Sequence, residues 1–210
     1  MAWIQAQSPK DASSVKYESL RRELLAMEQA DQAARAAMLA EFGKRGISIN
    51  RGKPITDPKA LQVIATESAK LSKLDEAHRK RMKAIVKEFG WPGKSLVGAD
   101  GARAAWLLVQ HADADRDFQA ECLRLMEAAP AGEIEGTHLA YLTDRVLIGA
   151  GKLQKYGTQL GADFKPLPIA DEGNVDARRA KLGLPPLTEY IKAAKAEYEK
   201  LSRPSLENNK

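Results

Sequence analysis

The sequence predicts a mainly α fold: a helical bundle with a long N-terminal helical arm and a small irregular or β-ribbon insert. Three observations carry this. Apolar residues recur at spacings of three and four through most of the chain. Gly and Pro fall where those stretches would have to stop. β-compatible residues gather, with Gly and Pro, in a single segment over 150–173.

The elements follow in order. Residues 12–42 read as one helix, with Tyr17, Leu20, Leu24, Met27, Ala34, Met38 and Phe42 on its apolar stripe and only Asp31 interrupting it. Ser13 or Ser14 would cap its start and Gly43 would end it. Gly46 to Pro58 reads as a loop. A second helix spans about 58–89, marked by Leu61, Ile64, Leu71, Leu74, Met82, Ile85 and Phe89, with a break expected near Ser72 or Asp75. These two helices would pair antiparallel as the arm. Gly90-Trp91-Pro92-Gly93 stops the second helix, because Pro92 lacks a donor and the glycines permit a sharp turn. Asp100 is then placed to cap a helix from Ala102 to His111, whose small residues would let another helix come close. Asp115 would cap the next helix, carrying Phe118, Cys122, Leu125 and Met126. A helix over 137–149, the irregular or ribbon-like 150–173, and short helices over 175–181 and 187–201 complete the chain. The organisation expected is a flexible N-terminus (1–11), a helical arm and loop (12–56), a helical core (57–201) and a flexible tail (202–210).

Composition excludes several classes. At 210 residues, 44% hydrophobic and 29% charged, the chain can bury a core without disulfides or metal staples. Its one cysteine, Cys122, rules out a disulfide framework within the chain and any Cys-based zinc site. No apolar run reaches the roughly 18–20 residues of a membrane span, so no membrane partner is expected. The net charge is +5, but basic residues are interleaved with acids. The densest run, His78 to Lys83, reads as a solvated helix face, so nucleic acid is not expected as a partner. Ile4 to Pro9 resembles the end of a trimmed export signal, which leaves cytoplasm and periplasm both open.

Four segments set functional side chains beside apolar or glycine-rich positions. They are Gln110-His111-Ala112-Asp113-Ala114-Asp115, Asp144-Arg145-Val146, Gln154 to Gln159, and Arg178-Arg179. Together with Gly90-Trp91-Pro92, Val97-Gly98 and Leu142-Thr143, this ordered set resembles a bacterial family catalogued as domain of unknown function 6624. The resemblance covers about Asp75 to Tyr190 and leaves the N-terminal arm outside it. Val175-Asp176-Ala177-Arg178-Arg179 and Gly183-Leu184 extend it. It implies a family and no mechanism.

The chemistry is therefore read from the residues. A His oriented by a carboxylate is the usual general base near neutral pH. His111 is the candidate, with Asp113 or Asp115 to orient it and Asp144 as a further catalytic carboxylate. If the helix ran past Ala114, His111 and Asp115 would share a face. If it stopped near Ala112, Asp113 or Asp115 would become a cap. The alternative for His111 is a hydrogen-bonded core histidine holding helices in register. Arg145 suits a carboxylate or phosphate, or equally a tie to the long loop. Gly157 permits a positive φ. Around it Gln154, Tyr156, Thr158 and Gln159, with Arg178, would line a polar ligand site or else pin the loop to the helices. His111, Asp113, Asp115, His138 and Asp144 offer metal-ligand atoms, but the His-Ala-Asp spacing has no metal precedent. No metal and no cofactor are expected, and no nucleophile elbow, phosphate loop or dinucleotide fingerprint is present. Two functions follow. One is a hydrolase or transferase acting on a small polar, anionic ligand. The other is a non-enzymatic helical protein that meets a protein partner through its arm.

Overall fold

A computed structural model describes residues 15–47 and 54–202. It contains, in order, α1 (Glu18–Lys44), α2 (Pro58–Phe89), α3 (Lys94–Gln110), α4 (Arg116–Glu127), α5 (Gly136–Gly149), α6 (Val175–Lys181) and α7 (Leu187–Ser202). A single 3-10 turn, Glu172–Asn174, leads into α6. The mainly α expectation holds. No strand forms among the described residues. Residues 150–173 hold two isolated bridges, Gln154 with Ile169 and Leu160 with Pro166, so the insert is irregular and the ribbon alternative is not realised. The expected Ser13/Ser14 cap and the expected flexible ends lie outside the described residues, apart from Ser202, which closes α7.

Local chemistry sets most boundaries. Asp57 accepts hydrogen bonds from the Lys59 and Ala60 amides, and Pro58 takes the first helical position, so α2 starts where its free donors are satisfied. It runs unbroken through Ser72 and Asp75, because neither Gly nor Pro interrupts it. Gly90, at φ 72°, ends it. Helix α3 begins at Lys94 rather than near Ala102. Gly98 (φ 73°, ψ 169°) kinks it, and two helical pieces join across that residue. Asp100 therefore lies inside α3, where it takes Arg21 Nε at 2.8 Å. Asp115 caps α4 by accepting from the Phe118 amide at 3.1 Å.

One apolar core unites the helices. Leu24, Met82, Ile85, Val97, Val109 and Cys122 are fully buried in it, with Leu142 from α5. Helix α1, read from the sequence as part of an arm, supplies Leu20 and Leu24 to this core and packs most extensively along α3. The cause is the small-residue face of α3. A Cβ added to Gly101 would lie 2.9 Å from Val97 Cβ and 3.3 Å from Arg21 Cγ, so the glycine leaves room for both. Charged clasps flank the contact. Arg103 holds Glu28, and Arg81 holds Glu23 from α2. The far ends of α1 and α2 leave Leu39 and Leu61 exposed.

Helix α5 packs on α4 and starts against the end of α6. A Cβ on Gly136 would come within 2.6 Å of the Leu182 carbonyl oxygen, which is backbone and cannot swing aside. Gly136→Ala is therefore expected to lower stability by about 1–3 kcal/mol, the usual cost of overpacking, read as a reduced urea midpoint at unchanged m-value. An unchanged midpoint would mean the α5–α6 contact is slack.

His138, also on α5, stacks on Trp106 with ring centroids 4.1 Å apart. Burial pushes its imidazole down to about 4. An unfolded chain titrates His near 6.5. Between those values the unfolded state binds more protons, so stability falls as pH drops from about 6.5 to about 4. His78, also pushed down by burial, adds with the same sign. His138→Phe should flatten this slope without abolishing it. Unfolding curves at pH 7, 5.5 and 4.5 check it, and an unchanged slope would contradict the assignment.

Candidate functional site

Helix α3 ends at Gln110, and His111 is its C-terminal cap (φ −90°, ψ 1°). The His111 side chain leaves the helix end toward α1. There its Nδ1 lies 2.9 and 3.0 Å from the two carboxylate oxygens of Asp31. Asp31 is 1% exposed at its side chain and His111 is 22% exposed. No hydrogen bond engages His111 Nε2 among the described residues.

Asp31 is the acid that interrupts the apolar stripe of α1. Its carboxylate also accepts from Arg35 Nε and Nη2, one helical turn on, at 2.9–3.1 Å. Arg35 Nη2 reaches Asp75 on α2 as well, at 2.8 Å. Burial pushes the Asp31 carboxyl up, but the donors of His111 and Arg35 outweigh it and hold it well below the usual carboxylate range. Asp75 moves the other way, raised by burial that Arg35 only partly offsets. His78, one turn beyond Asp75 on α2, is buried beside this group, and its Nδ1 has no partner. The five residues Asp31, Arg35, Asp75, His78 and His111 thus join three helices through one polar cluster.

The carboxylates expected to work with His111 are elsewhere. Asp113 is 63% exposed and held by Arg145 Nη1 at 2.7 Å, with Gln119 Nε2 at 3.2 Å. Asp115 caps α4 and pairs with Lys83 at 2.5 Å. Neither touches His111. Arg145 is spent on Asp113 through Nη1, while its Nε is buried without a partner.

Asp144 is fully buried, and both of its oxygens are used inside the chain. They accept from the amides of Lys155 (2.7 Å), Tyr156 (3.0 Å) and Thr158 (2.9 Å) and from the Thr158 hydroxyl (2.9 Å). The loop after α5 is wrapped around one carboxylate. Gly157 makes the wrap possible at φ 69°, and a Cβ there would meet Leu187 and Ile169 below 3 Å.

The expected ligand-binding loop residues serve the same fold. Gln154, fully buried, donates to the Gln159 and Leu167 carbonyls and accepts from the Gln159 amide. Gln159 donates its side-chain amide to the Thr158 hydroxyl. Arg178 donates to the carbonyls of Lys155, Ala170 and Asp171. Tyr156 has its phenol raised by burial. The structure brings Asp144, Gln154, Tyr156, Thr158, Gln159 and Arg178 together, and leaves His111, Asp113 and Arg145 outside that group.

Arg179, adjacent to the expected Arg178, is the fully buried arginine. Its Nε donates to Pro185 O at 2.7 Å and its Nη1 to Tyr156 O at 2.5 Å, and its guanidinium lies 5.0 Å from the Tyr190 ring centroid. Burial lowers its proton affinity, and nearby Tyr141, Tyr190, Asp176 and Asp144 counter that. The Tyr156 peptide therefore links two buried charges, its N–H on Asp144 and its C=O on Arg179.

Sequence reasoning missed Asp31, Arg35 and Asp75. Asp31 had a signal, a lone acid on an apolar stripe. Arg35 follows from it by the i, i+4 rule. Asp75 had none, because only the α1–α2 crossing brings it near.

A buried carboxylate holding a loop makes a quantitative expectation. Asp144→Asn removes the charge and presents an NH2 to donors, so it should cost about 3 kcal/mol or more. Asp113→Ala, at an exposed pair, should cost under about 1 kcal/mol. Urea denaturation of both variants separates them, and equal small losses would show that Asp144 does not hold the loop.

No curated protein and no solved structure matches the chain. One family model matches residues 18–201, a span that takes in α1 and Asp31 and so reaches well past the Asp75–Tyr190 region where the motifs lie. The chain belongs to that family, DUF6624, a family of unknown function.

Proposed function

We propose that the Asp31–His111 dyad is the working centre of a site for a small polar, anionic ligand, and that the protein is a hydrolase or transferase with His111 as general acid/base. One observation carries this reading. His111 has Nδ1 held by a buried carboxylate, while no residue among the described ones hydrogen-bonds Nε2 and the side chain keeps 22% exposure. In the neutral ring, donation from Nδ1 to Asp31 leaves the Nε2 lone pair to take a proton from water or a substrate hydroxyl. Asp31 then stabilises the imidazolium and keeps its orientation. Arg35, 26% exposed, uses Nε and Nη2 on the two aspartates and retains Nη1 for an anionic group. Asp144 and the loop residues hold the architecture in this reading, and Asp113 and Arg145 form a surface tie.

A second reading has one observation in its favour. Most of the motif residues are consumed by internal bonds, as a non-enzymatic helical protein would have them, and Leu39 and Leu61 stay exposed at the far end of α1 and α2. There a protein partner would bind.

The test uses p-nitrophenyl phosphate and p-nitrophenyl acetate as probes of phosphoryl and acyl transfer. The wild type should turn over one of them. His111→Ala, checked for an intact circular-dichroism spectrum, should lose about 100-fold or more, the usual contribution of a positioned acid/base. Turnover unchanged in His111→Ala would remove the role. No turnover by the wild type, with oligomerisation or partner capture abolished by Leu39→Lys, would favour the second reading.

A further inference from the structure

Helix α3 is shorter than the two helices it packs against. It runs beside α1 in the same direction. The Tyr17 amide donates to the Leu96 carbonyl at 2.9 Å, Arg21 holds Asp100, and Asp31 meets His111 where α3 stops. Helix α2 runs back along α1, with Asp75 tied to Arg35 at the level of that stop. Past Asp31, α1 continues to Lys44, about 20 Å at 1.5 Å per residue. The part of α2 that precedes Asp75 spans residues 58–74. In these projecting halves only Phe42 and Ala60 are buried among the described residues. Deeper in the bundle the α2 stripe buries Met82 and Ile85 completely. Here the same stripe leaves Ile64, Leu71 and Leu74 half-buried.

Two exposed leucines mark the open side. Five helical turns take about 18 residues, so residues that far apart share a direction. Leu39 lies that distance past Arg21, which faces α3 through Asp100, and it is 52% exposed. Leu61 lies the same distance before Arg79, which sits 3.7 Å from Asp115 at the start of α4, and it is 47% exposed. Both leucines therefore point to the side that α3 and α4 cover at the base of the bundle. No described residue covers that side at the tip. An apolar stripe that outruns its covering helix calls for another helix in its place.

Charge selects what fits there. Lys44 and Lys59 are exposed at the tip of the α1–α2 hairpin, and Glu76 is exposed at its base. When two such hairpins lie antiparallel, the tip of each meets the base of the other, and opposite charges face one another twice. A parallel pairing would set lysines against lysines.

We propose that the projecting halves of α1 and α2 pair with those of a second copy of this chain, antiparallel about a two-fold axis, and complete a four-helix bundle. Leu39 and Leu61 of each copy enter the core so formed. The face is about 20 Å long and two helices wide, a small interface, so the dimer forms in the micromolar range. This gives a partner to the Leu39–Leu61 surface, and it does not depend on His111 turning over a substrate.

Sedimentation velocity of the full-length protein, from low micromolar to a few hundred micromolar, tests the pairing. The sedimenting species should shift from one chain of 23.0 kDa to two as concentration rises. Leu39→Lys combined with Leu61→Lys, both at exposed positions, should weaken the dimer at least tenfold with an unchanged circular-dichroism spectrum. A charge exchange reads the direction. Lys59→Glu and Glu76→Lys should each weaken association at least threefold, and the double variant should return to within about twofold of the wild type. A monomer at every concentration would overturn the proposal and leave the face to another occupant, the chain's own residues 1–14 or a different protein. A dimer that the leucine variant does not weaken would overturn it as well. Tighter association in Lys59→Glu alone would mean that tip meets tip, and would overturn the antiparallel pairing.

Discussion

The bundle turns on a carboxylate shut away from the surface. Asp31 lies on the face of α1 that meets α2 and α3, and at 1% exposure an unpaired charge there would cost several kcal/mol. It is stable because α1 itself supplies Arg35 one turn away and α3 supplies His111 at its end. Arg35 in turn carries the bond to Asp75. Three helices are thus brought to a common register by one buried charge, and a histidine is fixed in orientation with one face left toward solvent. Removing Arg35 would leave the buried Asp31 charge without its cation, and clusters of this kind specify arrangement more than they add net stability.

The second organising charge is Asp144, and it works differently. Among the described residues no cation pairs with it. It gathers three backbone amides and a hydroxyl from the loop after α5, and the Tyr156 peptide passes the interaction on to Arg179. Hydrogen bonds to a charged acceptor are about twice as strong as neutral ones, so an irregular segment of more than twenty residues can be ordered without strands. Gln154, Thr158 and the side-chain amide of Gln159 are engaged in that work. The exposed chemistry is left to the other end of the bundle, where His111 is only half-satisfied.

Helix positions were legible because period and punctuation agree. Asp57-Pro58 and Gly90 mark α2 at both ends, and Asp115 caps α4 as its position suggests. The start of α3 was not, since Asp100 reads as an N-cap and in fact lies inside the helix, just past the kink at Gly98. The packing of the arm was not legible for a related reason: periodicity shows that α1 has an apolar stripe and cannot show that this stripe meets α3. At the site, His111 stood out by its surroundings in the chain. Its partner did not, because a contact 80 residues away follows from the α1–α3 packing and from no local pattern. Proximity in sequence favoured Asp113 and Asp115, whose carboxylates Arg145 and Lys83 hold instead. Asp144 illustrates the opposite limit. A polar residue on an apolar helix reads alike whether it faces a ligand or a loop backbone.

The central claim is that Asp31 sets the state of the His111 ring, and the ring's tautomer tests it most directly. Long-range ¹H–¹⁵N correlation on the neutral imidazole assigns the proton to one nitrogen. The account predicts the proton on Nδ1, with Nε2 bare, in the wild type, and loss of that preference in Asp31→Asn. A proton on Nε2 in the wild type would contradict it, since the nitrogen required to act as base would then be occupied.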